Sequence, residues 1–474
     1  MKKNFQMKYS LFMFIAALFL GLAACKKDPV TPDPPPTVDS TRLNTPENRM
    51  RDTAYWYSQD IYLWYDQLPT DQVFAARKYK TLNDIMMAIR PFSKEPANTG
   101  TPKDRWSFAI DKASWDNVSS GIEKDFGVNI FFLVQGDLRV RYVEKNSPAD
   151  KAGVQRGWRI TKINNITNIT TDNANAIVEA VYYSAKSDFT FLKPDGNSTT
   201  ISLESAQYQS NPILLDTVYH EAGKSIGYMV YNSFLGDQEA TVASFDRIFN
   251  KFSSGNVKDV IVDLRYNGGG YVSLQAALAN YLAPATANGK IMMMQQFNQK
   301  YSQYNDTLNF SKKGSLNPAK LIFIVSEATA SASELLINNL KPFFSGSDFK
   351  IVGPRPSYGK PVGYFNIPVG DQYIFPVSFR SVNNVGVGNY YEGFVPDKVV
   401  GDGIDKNWGD LGEASLAAAY KYIVTGGFGF VKTTGTTLDA SAGANRQEAD
   451  AFNRKVDSER FHGMVDSRKL DFNK

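Results

Sequence analysis

The sequence predicts a multidomain α/β protein with a small N-terminal helical domain, a β-rich middle domain and an α/β core on a mixed or parallel sheet. Three observations carry this reading. Apolar residues recur at helical spacing between Arg49 and Ile89, short alternating runs dominate from Gly121 to about Ser205, and buried apolar runs alternate with amphipathic segments from Ser225 onward. A chain of 474 residues with 43% hydrophobic and 21% charged content has room for two or three domains of ordinary globular composition. Its formal charge is +4. Setting aside Lys2, Lys3 and Lys8 leaves 49 basic against 48 acidic residues, so nothing points to nucleic-acid binding.

Residues 1–24 carry basic residues, an apolar run from Leu11 to Leu22 and then small residues before Cys25. The run is too short to span a bilayer comfortably and has the layout of a cleaved signal peptide. Leu22-Ala23-Ala24-Cys25 resembles the bacterial lipobox, which implies a lipidated Cys25 as first mature residue. As the chain's single cysteine, Cys25 leaves no internal disulfide to form. Residues 25–43 include the proline-rich Lys26–Asp39, an extended tether.

Residues 44–112 hold two helical patterns, Arg49–Leu63 and Leu82–Ile89, the second closed by Pro91. Their aromatic residues, Tyr55, Trp56 and Tyr62, read as core. Residues 113–205 hold strands at Gly127–Leu133 and Leu138–Val143. Ser147 can then cap a short helix that starts at Pro148 and ends at Gly153, before a further strand through Ile160 and Ile163. The wording Ser147-Pro-Ala-Asp-Lys-Ala-Gly-Val-Gln-Arg-Gly157 followed by Ile160-Thr-Lys-Ile-Asn164 resembles a PDZ domain of the bacterial protease type, with Trp158 in place of the family's usual aspartate. The resemblance implies a peptide added to a sheet edge, its terminal carboxylate held by the loop at Phe126, Gly127 and Val128.

Residues 206–424 form the expected core. Ser225–Phe234 and Val257–Arg265 read as buried strands, Thr241–Phe252 and Ser273–Tyr281 as helices. Leu321–Val325 is a third strand. It runs through Ala328–Ser333 into a helix bearing Leu335, Leu336, Leu340 and Phe343. Unpaired N–H groups at such a helix start can hold an oxyanion, which makes Ser331 a candidate nucleophile. Ser331 with Glu334 also fits an ordinary S-x-x-E capping box.

Thr329-Ala-Ser-Ala-Ser-Glu334 resembles the nucleophile motif of the C-terminal processing peptidases, which are serine/lysine proteases. By that resemblance Ser331 is catalytic. Asp263-Leu-Arg-Tyr-Asn-Gly-Gly-Gly270 resembles the family's second signature, placing oxyanion donors at Gly268, Gly269 and Ala332. No Gly-Lys-Ser/Thr follows, so a phosphate loop is disfavoured.

A histidine base has only His220 and His462 to draw on, and neither lies beside a strand-end signature. The local Ser347-x-x-Lys350 match has no apolar helix under it. Val352-Gly353 through Gly359-Lys360 resembles the family's lysine segment, with Lys360 as general base 29 positions after Ser331. Acting near neutrality requires a drop of about three pKa units from its reference value. Where the family often carries a glutamine four residues later, this chain has Tyr364, a candidate to orient Lys360, with Asn366 nearby. Gly393-Phe-Val-Pro-Asp397 resembles a closing segment of that core, and Leu411–Ile423 reads as a helix.

Residues 425–474 read as a loosely ordered tail. The expected protein is a lipid-anchored serine endopeptidase of the cell envelope that acts on polypeptides and needs no metal or cofactor. The rival expectation is a peptide-binding pseudoprotease, motivated by Tyr364.

Overall fold

The computed structural model describes residues 43–429, 443–458 and 460–468; Cys25 and the segments expected as leader and tether, but for Leu43, lie outside them. Thr45 accepts the Asn48 N–H at 3.2 Å and opens the helix Pro46–Ile61, which has proline in its first turn. Thr81 and Asp84 cap the helix Leu82–Ile89 reciprocally. Ile61, Tyr62, Ile85, Met86 and Ile89 of this helical region are buried in one apolar cluster with the strands of the main sheet. Two helices of this length cannot enclose an aromatic stripe alone, so they lay Tyr55 and Tyr62 on the core, whereas Trp56, also expected there, is 43% exposed.

The β-rich domain is a five-stranded antiparallel meander, Val128–Val134, Asp137–Val143, Arg159–Ile163, Lys186–Leu192 and Ser198–Glu204, paired in chain order. Alternation sends Ile130, Phe132, Leu138, Val140, Phe189 and Phe191 to one interior. Ser147 caps the helix Pro148–Lys151 by accepting the Asp150 N–H at 3.1 Å.

The main sheet has the order Ile213–Glu221, Lys224–Tyr231, Asp259–Asp263, Lys320–Ile324, Phe349–Gly353, Lys398–Val399. Its first pair is antiparallel and the rest are parallel, which makes the sheet mixed. Both faces are covered. Val260, Val262, Leu321 and Phe323 face the helices Gln238–Ser254, Val272–Leu282 and Ala332–Leu340. Ile261, Ile322 and Ile324 pack against the helix Ala414–Thr425 on the other side. Continuous apolar strands are what a parallel sheet covered on both faces requires. A second six-stranded sheet runs Gly269–Tyr271, Gly463–Val465, Val362–Tyr364, Val377–Asn383, Ile291–Phe297, Asp306–Asn309.

The C-terminal residues correct the expectation of a loose tail. The helix Gly443–Ser458 sets Ala449, Phe452 and Val456 into the β-rich domain's core, and Gly463–Val465 is an inner strand of the second sheet. An ionic cluster ties the β-rich domain to the main sheet. Arg265 pairs with Asp263 at 2.6 Å and Glu413 at 2.7 Å, while Arg156 reaches Asp402 at 2.9 Å and the Tyr266 hydroxyl at 2.9 Å.

Candidate active site

Ser331 stands where the main-sheet strand Lys320–Ile324 has turned into the helix Ala332–Leu340. Its backbone has φ +58° and ψ −105°, a region a non-glycine residue enters at a cost and one that clusters at active sites. The residue is fully buried and its Oγ has no hydrogen-bond partner. The hydroxyl therefore caps nothing. It is Glu334 that supplies the bond, accepting the Ser331 N–H at 2.8 Å.

The same carboxylate organises the lysine loop. Glu334 accepts the Ser357 hydroxyl at 2.6 Å and the Gly359 and Lys360 N–H groups at 2.7 and 2.8 Å. Burial pushes the Glu334 carboxyl up, opposed by these donors. One side chain thus fixes the backbones of both Ser331 and Lys360.

Lys360 is fully buried, and burial holds its amine well below the usual lysine range. Its Nζ donates to the Tyr364 hydroxyl and, at 2.8 Å, to the His462 carbonyl. The Tyr364 hydroxyl in turn donates to the Trp106 carbonyl at 3.0 Å. A neutral amine has two N–H donors and one lone pair. Both donors are occupied here, so the group left to act is the lone pair, which is what a proton acceptor needs. Ser331 Oγ and Lys360 Nζ are not joined by a hydrogen bond in this arrangement.

The glycine loop lies against the start of the nucleophile helix. Asn267 is fully buried, accepts the Gly269 N–H on Oδ1 and the Ala330 N–H on its carbonyl, both at 3.0 Å, and donates to the Tyr231 carbonyl at 3.0 Å. A Cβ placed on Gly269 would stand 3.1 Å from the Ala332 nitrogen and 2.2 Å from the Gly463 carbonyl oxygen. The glycines thus admit a backbone that any side chain would exclude.

The loop expected to bind a carboxylate is corrected. Phe126 is buried in its domain's core, and the Gly127 N–H is taken by Asp125 Oδ1 at 2.7 Å. Gly127 and Val128 line a cavity of about 390 Å³ whose other walls carry Glu123, Asp125 and Glu144. Three carboxyls and the Arg460 guanidinium thus face the cavity, and the loop's Gly127 N–H is not free for a carboxylate. Burial raises Glu144 to about 7.

The family model for peptidase family S41 matches residues 225–400, and that for the PDZ domain matches residues 139–187. Residues 225–400 are thus similar to peptidase family S41, and residues 139–187 to a PDZ domain. Relatives include a Staphylococcus saprophyticus protein named as a probable CtpA-like serine protease, 22% identical over 63% of this chain and 59% of that protein. The chloroplastic C-terminal processing peptidase of Tetradesmus obliquus is 24% identical over 47% of this chain and 48% of that one. The match thus spans about half to three fifths of these relatives' own lengths. The fold is that of a solved structure from Bacteroides fragilis named as an S41 protease, with TM-score 0.61, 21% identity, 78% of this chain and 96% of that one covered.

The fold brings Ser331, Gly268, Gly269, Ala332, Lys360 and Tyr364 to one place. It leaves His220 on an exposed hairpin end, bonded to Ser225, and Lys350 beside Asp397 in the main sheet. Two contributors escaped the sequence reading. Glu334 was visible only as a cap, and nothing local to His462 announces its carbonyl on Lys360. The His462 ring stacks on Tyr358 at 4.9 Å, and burial lowers its pKa to about 4.

Proposed function

We propose that the chain is a serine endopeptidase of the C-terminal processing type, with Ser331 as nucleophile and Lys360 as general base. The observation that carries this is the Glu334 carboxylate, which fixes a strained, unpartnered serine and a buried, neutral-leaning lysine to one frame. Ser331 attacks a substrate carbonyl while Lys360 Nζ takes its proton and later returns it to the leaving amine. The N–H groups of Ala332 at the helix start and of Gly268 in the glycine loop hold the oxyanion; the Gly269 N–H, expected as a third donor, is engaged by Asn267 Oδ1 at 3.0 Å. Tyr364 fixes the amine's direction.

Wild type and Ser331→Ala should differ by at least about 10³-fold in turnover of an unfolded protein, and a serine-reactive probe should label only the former. A wild type that binds peptide but turns over no unfolded substrate would point to a peptide-binding role instead. The lipobox-like Leu22-Ala23-Ala24-Cys25 supports export and anchoring through a lipidated Cys25 in a bacterial envelope. Cys25→Ala should then leave the membrane fraction; a variant still retained by lipid would refute the anchor.

A further inference from the structure

Two places in the described residues are shaped to take a peptide, and the C-terminal residues sit in both. Val128–Val134 is the edge strand of the β-rich sheet. Asn453 accepts the Phe132 N–H and donates to the Phe132 carbonyl, both at 2.9 Å, so one side chain makes the pair of bonds an added strand would make. Phe452 stands edge-on to Phe132 at 4.9 Å.

In the active-site cleft, Gly463–Val465 lies between Gly269–Tyr271 and Val362–Tyr364, parallel to both. The Gly463 N–H donates to the Gly268 carbonyl at 2.9 Å, and the His462 carbonyl holds Lys360. Between the two places, Arg460 lines the cavity walled by Glu123, Asp125 and Glu144. Its guanidinium stands 5.1 Å from the Tyr142 ring centre and 3.8 Å from the Glu144 carboxylate. The cavity holds more polar capacity than Arg460 uses. Asn129 Oδ1 and Tyr142 Oη, on residues 6% and 0% exposed, have no hydrogen-bond partner.

We propose that this acidic cavity is a subsite for a basic side chain of the polypeptide substrate, three residues before the one whose carbonyl faces Gly269. Residues 449–457 and 460–466 are its resident occupant, displaced when substrate binds. Arg460 shows which contacts the cavity offers a guanidinium, the Glu144 carboxylate at 3.8 Å and the Tyr142 ring at 5.1 Å, and a substrate side chain competes for the same contacts. The term substrate rests on the peptidase reading above; the occupancy does not.

The test uses the full chain carrying Ser331→Ala, so that binding is read without turnover. The probe is a fluorescein-labelled synthetic peptide with the sequence of residues 457–466, followed by anisotropy. Adding Gly463→Pro, which removes the N–H that reaches Gly268, should tighten peptide binding at least 10-fold. Should that variant fail to fold, Arg460→Ala in the chain removes no backbone bond and should tighten binding in the same direction. A peptide bearing Arg460→Ala should bind at least 10-fold more weakly, and Glu144→Gln in the chain should weaken only the arginine-bearing peptide. Equal affinity with and without the tail substitutions overturns the occupancy. Equal affinity for the two peptides overturns the subsite. A wild type without turnover would sink the peptidase reading while leaving these binding results interpretable.

Discussion

Lys360 carries the sharpest consequences of a single residue's environment. Burial lowers its pKa, so the unfolded chain binds a proton that the folded chain releases. Stability therefore rises with pH between the depressed folded value and the ordinary value near 10.4, and at neutral pH the buried amine is a burden. Lys360→Met should abolish turnover by about 10²–10⁴-fold, the usual worth of a positioned general base, while raising the melting temperature at pH 7. Wild-type kcat/KM should rise with pH to a plateau reached below the ordinary lysine range, with no histidine inflection near 6.5. A melting temperature that falls in Lys360→Met would contradict the buried neutral amine.

At the scale of elements, the glycine loop makes the clearest demand. Gly270 has φ +138°, and a Cβ there would stand 2.2 Å from the Phe234 carbonyl carbon. Gly153 also has positive φ, +74°, but faces open space. Gly153→Ala should cost about 1 kcal/mol in urea unfolding, whereas Gly270→Ala should cost clearly more because backbone must move. Similar midpoints for the two variants would refute the close approach.

The same scale shows what the sequence disclosed. Strands and helices of the core were legible because Val260-Ile-Val262 and Leu321-Ile-Phe323 are continuous apolar runs between helical stripes. Ser331, Lys360 and the glycine loop were legible because each stands in a short run, Thr329–Glu334, Val352–Lys360 and Asp263–Gly270, that resembles a peptidase motif. Ala449, Phe452 and Val456 do lie at helical spacing, yet among charged residues the stripe is too thin to stand out. Gly463–Val465 is three residues long, below any periodicity, and its partners lie about 100 and 200 positions earlier. The acidic cavity depends on Glu123 and Asp125 of the strand Ile122–Asp125 meeting Glu144 from beyond the strand Asp137–Val143, a convergence that no local pattern records.

For the whole molecule, the ionic cluster joins the β-rich domain to the main sheet. Asp402 is held down to about 2 by Arg156 and Arg265 against the opposing effect of burial. A depressed carboxylate contributes stability that is present above the unfolded value near 4 and is lost as pH falls toward 2. Arg156→Leu leaves Asp402 with one cation fewer, so the variant should unfold at a higher pH than wild type in an acid titration. Coincident acid transitions would show that the cluster does not join the domains energetically.

The strand at Gly463–Val465 belongs to the same chain as the cleft it fills, and that fixes how the cleft responds to concentration. Diluting the protein does not empty it, because the equilibrium is unimolecular. If one molecule in a hundred is open, every polypeptide binds about 100-fold more weakly than its contacts alone would give, whatever its sequence. A plentiful but poorly matched chain is then turned away without a separate inhibitor. Only a chain that brings contacts beyond those of the resident strand, or that is held close by other means, gains entry.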